Sequence, residues 1–448
     1  MSAFDPAVFS LNSRFELDHL AIGGVDATAL AEEFGTPLFV VDEGDFHTRA
    51  KLWQSALDEA FGESSGCVYY AAKSFISKEI ARWVDEIGIG LDVCTGGELA
   101  VAQAIDFPAD RIELHGNNKS EAEIRSAITY GVRTIVIDSF FEIERVARIA
   151  DELGRVQRVY VRVTPGVEAH THEFISTAHE DVKFGFSLAS GAAWDALSAI
   201  LAEPALELVG LHSHIGSQIF RSEGFAAAAS KLIGLLSRFR DTYGREIPEL
   251  DLGGGYGIAY IPGEVTLNPS LILNELARIV KSECAKVGIA LPIISIEPGR
   301  AIVGPSTTTL YSVGTTKDVE LDGGLSRRYI AVDGGMSDNI RPALYGAEYL
   351  AILANRLPLG PNRMSRVVGK HCESGDIVIR DIELSADIQP GDLLAVPATG
   401  AYGYSMASNY THVPRPAVVA VVDGKARLIV VRCCLNSQRI IKPSQIVV

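Results

Sequence analysis

The chain has 448 residues, 47% of them hydrophobic and 21% charged, with a formal net charge of −16 at neutral pH. This is globular composition, long enough for two domains or more. So acidic a chain is repelled by nucleic-acid phosphates, and no apolar run is long enough to span a bilayer. A cytoplasmic protein that handles small molecules is the class that fits.

The opening stretch, MSAFDPAVFSLNSRFELDHL, has no basic segment followed by an apolar one, so no secretory leader is expected. Six cysteines lie at 67, 94, 284, 372, 433 and 434. Their spacing is neither C-x-x-C nor a disulfide framework, and reduced, mostly inert thiols are expected.

The first 35 residues precede the main pattern and are expected to pack with a later β domain. From residue 36 to 300, strand-like runs alternate with amphipathic segments. The strands read are CVYYAAK (67–73), IGLDVCT (89–95), RIELHG (111–116), TIVIDS (134–139), RVYVRVTP (158–165), LVGLHSHIG (208–216), ELDLGGG (249–255) and IISIEPG (293–299). Between them, segments such as SFFEIERVARIADELG (139–154) and LILNELARIVKSECAKVG (271–288) carry apolar residues at helical spacing. Eight strand–helix units predict an α/β fold built on a (β/α)8 TIM-type barrel. A doubly wound open sheet has the same periodicity and competes with it. Residues 301–448 read almost entirely as strands, including a hairpin around DGK at 423–425, and predict a mainly β, sandwich- or barrel-like C-terminal domain.

In a βα barrel, function collects where the strands end. Lys73 closes the first run, His214 the sixth, GGGYG (253–257) the seventh and EPGR (297–300) the eighth. Each has a plainer reading alone: a solvated lysine, a hydrogen-bonded histidine, a tight turn, an ion pair. Four strands placing unusual residues at one face point to a joint site. Glycine amides with an arginine suit a phosphate. The chain has no G-x-x-x-x-G-K-[ST] loop, and GGGYG is not a dinucleotide fingerprint. A lysine beside a phosphate pocket suggests a Schiff base, its amine made nucleophilic by burial. With a carboxylate, Glu297, to face a pyridine nitrogen, the set meets the needs of pyridoxal 5′-phosphate (PLP).

A metal-dependent hydrolase is the alternative. The H-x-H at 212–214 puts both histidines on one strand face, and EAHTHEFISTAHE (168–180) adds three more. The lack of a clear third and fourth ligand argues against it, and no metal is expected. The 168–185 segment is a candidate lid.

Taken together, YYAAKSF, LDVCTGGEL, HGNNKS, GLHSHIGSQI, DLGGGYGI, EPGRAIVG, GKHCESGDIV and ATGAYGYSMASNY resemble the group-IV decarboxylases, the alanine racemase-like class of PLP enzymes. Within it they are most similar to the diaminopimelate decarboxylases. The resemblance runs from TPLFVVDE (36–43) to SNYTHVPRPAVV (408–419). It implies a PLP-binding barrel with a β domain. Lys73 then resembles the Schiff-base lysine, and His214 the residue stacked on the ring. Glu297 would pair with the pyridine nitrogen, and Ser217, Gly255, Gly299, Arg300 and Tyr402 would surround the phosphate. Arg300 and Tyr402 would also serve the substrate. Arg341 and Tyr345 resemble residues that grip a distal carboxylate. Cys372 and Glu373 resemble a pair that reaches the neighbouring subunit's site, the thiol as proton donor and the acid reading a distal ammonium. A homodimer with shared sites follows from that resemblance.

The barrel motifs are shared with ornithine- and arginine-type decarboxylases. Cys-Glu at 372–373, where the ornithine enzymes carry Cys-Asp, and Arg341 favour a substrate with both charges at its far end. The reaction implied is decarboxylation of meso-2,6-diaminopimelate to L-lysine and CO2, the last step of lysine biosynthesis. A related ornithine-, arginine- or carboxynorspermidine-type decarboxylase stays open, as does a PLP-binding relative without activity.

Overall fold

The structure is a computed structural model and describes residues 4–63, 66–167 and 183–433. The chain divides into two compact units, one of residues 49–257 and 266–301, the other of residues 1–48, 258–265 and 302–448. The expected lid and the histidines of 168–180 lie outside the described residues, apart from 183–185.

In the first unit, eight parallel strands close into a barrel. They are Gly66–Ala71, Gly90–Val93, Ile112–Leu114, Thr134–Ile137, Gln157–Thr164, Leu206–His212, Glu249–Asp251 and Ile293–Ile296. Each pairs in parallel with the next, and Ile293–Ile296 returns to Gly66–Ala71 through Ile294–Gly66 and Ile296–Val68. The open-sheet alternative is thereby excluded. The short piece Phe186–Ser187 adds to the fifth strand from outside the ring.

The strands read as continuous apolar runs because both faces are covered. Space inside is filled by large side chains over small ones. A Cβ at Gly90 would lie 2.4 Å from the Tyr69 ring, and one at Gly210 2.4 Å from the Tyr160 ring. The helices start where their caps permit. Ser77, Thr95 and Asn268 accept backbone N–H bonds at N-termini, and Ser120 and Glu123 form a reciprocal capping box. Lys78–Ile87 shows the packing logic: Ile80, Ala81, Trp83 and Val84 are buried while the remaining face is charged. The expected helices at 139–154 and 271–288 appear as Phe140–Glu152 and Pro269–Val287.

The second unit is mainly β. Its longest sheet path runs Ile377–Ser385, Asn362–Val368, Ser326–Val332, Thr307–Glu320, Leu38–Asp42, Ala417–Val422, Lys425–Val430. The expected partition started the barrel at residue 36. The strand Leu38–Asp42 instead hydrogen-bonds between Thr307–Glu320 and Ala417–Val422. Phe9, Leu20 and Ile22 from the N-terminal segment share one apolar core with Leu38, Leu310, Ile352, Ala395 and Val419. The DGK turn is a two-residue hairpin with positive φ at Asp423 and Gly424, joining Ala417–Val422 to Lys425–Val430.

Candidate active site

The barrel unit gathers seven of the expected residues at the C-terminal ends of its strands. The first strand stops at Ala71, two residues earlier than its apolar run suggests, and Lys73 sits in a 3-10 turn, Ala72–Ser74. The turn is held from below: Ser74 Oγ donates to the Ala71 carbonyl at 2.7 Å and Tyr70 Oη to that of Phe75 at 2.6 Å. Lys73 Nζ donates to Asp92 Oδ2 at 3.2 Å. Its side chain is 35% exposed while that of Asp92 is 1% exposed. The expectation of a buried lysine is therefore corrected: Lys73 has an ion-pair partner and partial access to solvent.

The carboxylate of Glu297 is the hub of the site. His212, the last residue of the sixth strand, places Nε2 2.9 Å from Oε1. His115 Nε2 lies 3.5 Å from the same oxygen, and His214 Nδ1 3.9 Å from Oε2. His214 lies two residues past its strand, not at the end of it, and its Nδ1 accepts the Gly254 N–H at 3.2 Å. Burial alone would push the Glu297 carboxyl up, but His115, His212 and Lys73 hold it well below the usual carboxylate range. Burial drives His212 down to about 4, against the pull of Glu297. Burial also depresses His214, and Lys73 adds to that. For His115, burial opposes the charge, but Asp92, Glu297 and Glu113 outweigh it and raise its proton affinity. The site thus holds a charged carboxylate beside two neutral imidazoles and one that favours its proton.

The glycine turn brings backbone close to this hub. Gly253 has φ +70° and its N–H is fixed by Asp251 Oδ1 at 2.7 Å. A Cβ at Gly254 would fall 2.3 Å from the Glu297 carbonyl oxygen, and one at Gly255 2.2 Å from that of Gly216. No other residue fits there. A Cβ at Gly299 would meet Ala71 at 2.7 Å. Arg300 Nη2 donates to Ser217 Oγ at 2.9 Å, so the arginine and the serine share one pocket edge.

The remaining expected residues belong to the β unit. Arg341 opens the short helix Arg341–Tyr345, and Tyr345 closes it half-buried. The Arg341 side chain is buried. It donates to Tyr349 Oη and lies 4.6 Å from the Tyr260 ring centroid. Burial opposes its charge, but the surrounding phenols, Tyr402 among them, raise its proton affinity. Among the described residues no carboxylate pairs with it. Tyr402 is half-buried at φ +58°. Cys372 and Glu373 are exposed on a loop whose base is fixed. Asp376 accepts the His371 and Met336 N–H groups at 2.7 and 2.6 Å, and the His371 ring bridges Thr411 and Ser337 at 2.8 and 2.9 Å. Burial pushes the thiols of Cys67, Cys94 and Cys284 up.

Residues 43–304 match the family model described as the pyridoxal-dependent decarboxylase, pyridoxal binding domain. Diaminopimelate decarboxylase of Mycobacterium tuberculosis is 54% identical over 432 residues, 95% of this chain and 96% of that protein. The chain belongs to the diaminopimelate decarboxylase family of pyridoxal-dependent decarboxylases. The Bacillus subtilis member is 47% identical over 92% of this chain and 93% of its own length. Among solved members, diaminopimelate decarboxylase from M. jannaschii in complex with L-lysine superimposes with a TM-score of 0.88 at 31% identity, covering 97% of this chain and 99% of the other.

The residues present fit the family's cofactor. An amine, a buried carboxylate held charged, a turn admitting only glycine and an arginine–serine edge supply what an aldehyde, a pyridinium nitrogen and a phosphate require. His115, His212 and Glu297 also place ligand atoms within 4.8 Å of one another, a set that takes only His212 from the H-x-H pair of the metal-hydrolase alternative. Family membership decides between the two in favour of the pyridoxal enzyme. No helix among the described residues is long and apolar enough to cross a membrane.

Reading the sequence assigned no role to Asp92, His115, Asp251, Tyr260 or Tyr349. The first three stand in quoted motifs at strand ends, and their polarity within apolar runs was the available signal. Nothing local marks the two tyrosines as the surroundings of Arg341.

Proposed function

We propose that the chain decarboxylates meso-2,6-diaminopimelate to L-lysine and CO2 as a PLP-dependent lyase of lysine biosynthesis, acting as a cytoplasmic homodimer. The observation that carries the substrate is Arg341, a buried guanidinium with no carboxylate partner among the described residues. A buried cation without a counter-ion is costly, and a substrate carboxylate would supply one. Ornithine and arginine have no distal carboxylate.

PLP, when bound, supplies an aldehyde for the substrate amine and a protonated ring that accepts the electron pair freed as CO2 departs. Lys73 is the residue to hold the aldehyde and, released by substrate, to displace the product. Glu297, kept anionic by its histidines, keeps the proton on the ring nitrogen. His214 covers the ring face. Ser217, Gly255, Gly299, Arg300 and Tyr402 take the phosphate, with Arg300 and Tyr402 also meeting the substrate. Arg341 and Tyr345 hold the distal carboxylate. The partner subunit's Cys372 delivers a proton to Cα, and the partner's Glu373 accepts the distal ammonium. Exposure of both on an anchored loop suits a contribution in trans.

The test is an absorbance spectrum of purified protein before and after meso-diaminopimelate, with lysine and CO2 assayed and ornithine and arginine run in parallel. A band near the visible edge that borohydride bleaches, with lysine formed from diaminopimelate alone, is expected. The band without lysine release would move the substrate to the ornithine or arginine class.

A further inference from the structure

His115 occupies a position that the proposed chemistry does not use. It follows the third barrel strand and is 4% exposed. Its Nε2 lies 3.5 Å from Glu297 Oε1, 3.6 Å from Glu113 Oε2 and 3.7 Å from Asp92 Oδ1. All three acids are nearly or fully buried. Two of them touch the chemistry directly, since Asp92 holds Lys73 and Glu297 faces the site of the ring nitrogen. The third, Glu113, lies in that strand two residues before His115 and is 3.5 Å from Arg133. One imidazole thus stands between the acid of the lysine and the acid of the ring.

Resting on the proposed function, we propose that His115 is a positioning residue: as an imidazolium it is a shared counter-ion, in direct reach of both acids, that helps Asp92 and Glu297 stay ionised side by side and so ready for Lys73 and the cofactor ring. Three carboxylates this close around a dry centre cannot all be charged without a cation among them. Arg133 reaches Glu113, but its stronger contact is with Glu249 at 2.7 Å, deeper in the barrel. Lys73 pairs directly with Asp92 at 3.2 Å and acts on Glu297 from farther off. His212 bonds Glu297 but is driven neutral, and its ring stands edge-on to His115 at 4.9 Å between centroids. Arg162, on the fifth strand, feels Glu297 and Asp92 as well, but its ion-pair contact is with Asp138 at 3.8 Å. Asp251, on the seventh strand, is pushed up by burial and by Glu297 and Glu113, and so holds a proton more tightly. His115 places one ring nitrogen within ion-pair reach of both working acids, 3.7 Å from Asp92 and 3.5 Å from Glu297.

The experiment is titration of apoenzyme with PLP from pH 6 to 9, on wild type, His115→Gln and Glu113→Gln, with circular dichroism to confirm folding. Glutamine keeps the volume and a donor but carries no charge, so a space-filling role survives the change. His115→Gln is expected to weaken PLP binding roughly tenfold, the scale of one lost charge-assisted contact. It should lower kcat for diaminopimelate while leaving KM nearly unchanged. Glu113→Gln touches neither lysine nor cofactor, yet it removes an acid that raises His115. The alkaline loss of PLP affinity should therefore move to lower pH in that variant and vanish as a His115-dependent step in His115→Gln. Should His115→Gln not fold, the shift in Glu113→Gln decides alone. Profiles of the folded variants that superimpose on wild type overturn the role. Wild-type protein that binds no PLP would overturn the proposed function, and this role with it.

Discussion

Lys73 Nζ and Asp92 Oδ2 stand 3.2 Å apart, tying the turn after the first barrel strand to the second strand. The pair aims a flexible four-carbon side chain that would otherwise sample several rotamers. Lys73→Ala is expected to abolish the borohydride-bleached band and to lower turnover by at least about a thousandfold, since covalent capture and proton handling both go. Asp92→Asn keeps the amine but loses its orientation, and the rate of PLP capture should fall roughly tenfold. A Lys73→Ala protein that still carried borohydride-fixed cofactor would remove Lys73 from the assignment.

Most of the barrel was legible because its strands are covered on both faces and read as uninterrupted apolar runs. Their ends were less so. The reading carried the first strand on to Lys73 and the sixth on to Gly216, whereas the ladders stop at Ala71 and His212. Polar residues at the mouth bond to each other and not to a neighbouring strand, so hydrophobic pattern overestimates strand length where function begins. Long-range pairing was invisible for the same reason. Leu38–Asp42 looks like any buried strand, and only its register with Thr307–Glu320 assigns it to the β unit. Lys73, Glu297 and the glycine turn were readable from residue type and position. The buried guanidinium environment of Arg341 was not, because Tyr260 and Tyr349 lie 81 and 8 residues away with no shared pattern.

The β unit has its own pH signature. Asp338 accepts from Gly335 N–H at 2.8 Å and from Tyr311 Oη, and burial pushes its carboxyl up to about 7. An acid whose pKa is higher folded than unfolded binds its proton more tightly in the native state. Stability therefore falls as pH rises from about 4 to about 7, by about 1.4 kcal/mol per pH unit for the one proton. His212, depressed to about 4, works in the opposite sense below its ordinary value of 6.5 and masks the fall in wild type. The informative quantity is the stability of Asp338→Asn minus that of wild type, in which other groups cancel. It should rise across that window and level off above it. A difference that is flat with pH would show that Asp338 titrates normally.

Arg341 separates binding from chemistry. Arg341→Lys retains charge but loses the planar fork and the stacking against Tyr260. It should raise KM for diaminopimelate by about tenfold or more with a smaller change in kcat, the signature of lost binding away from the reacting bond. Arg341→Ala should cost about a hundredfold in kcat/KM. Turnover of diaminopimelate unchanged in both variants would return the ornithine- and arginine-type substrates to the front.

The last prediction concerns the second copy. Lys73 belongs to the barrel unit, and Cys372 is exposed on the loop of the β unit whose base His371 and Asp376 pin in place. If each site takes its lysine from one subunit and its thiol from the other, Lys73→Ala and Cys372→Ala damage opposite sides of a shared site. Each homodimer should be nearly inactive in decarboxylation to lysine. Mixed and allowed to exchange, half the dimers become hybrids carrying one intact site of two, so activity should recover to about one quarter of wild type for an isologous dimer. Recovery needs subunit exchange, which light scattering and native mass spectrometry of differently tagged copies would follow. Hybrids that form without regaining activity place Cys372 in the same subunit's site or outside the reaction. Full activity in the Cys372→Ala homodimer would leave proton delivery at Cα to Lys73.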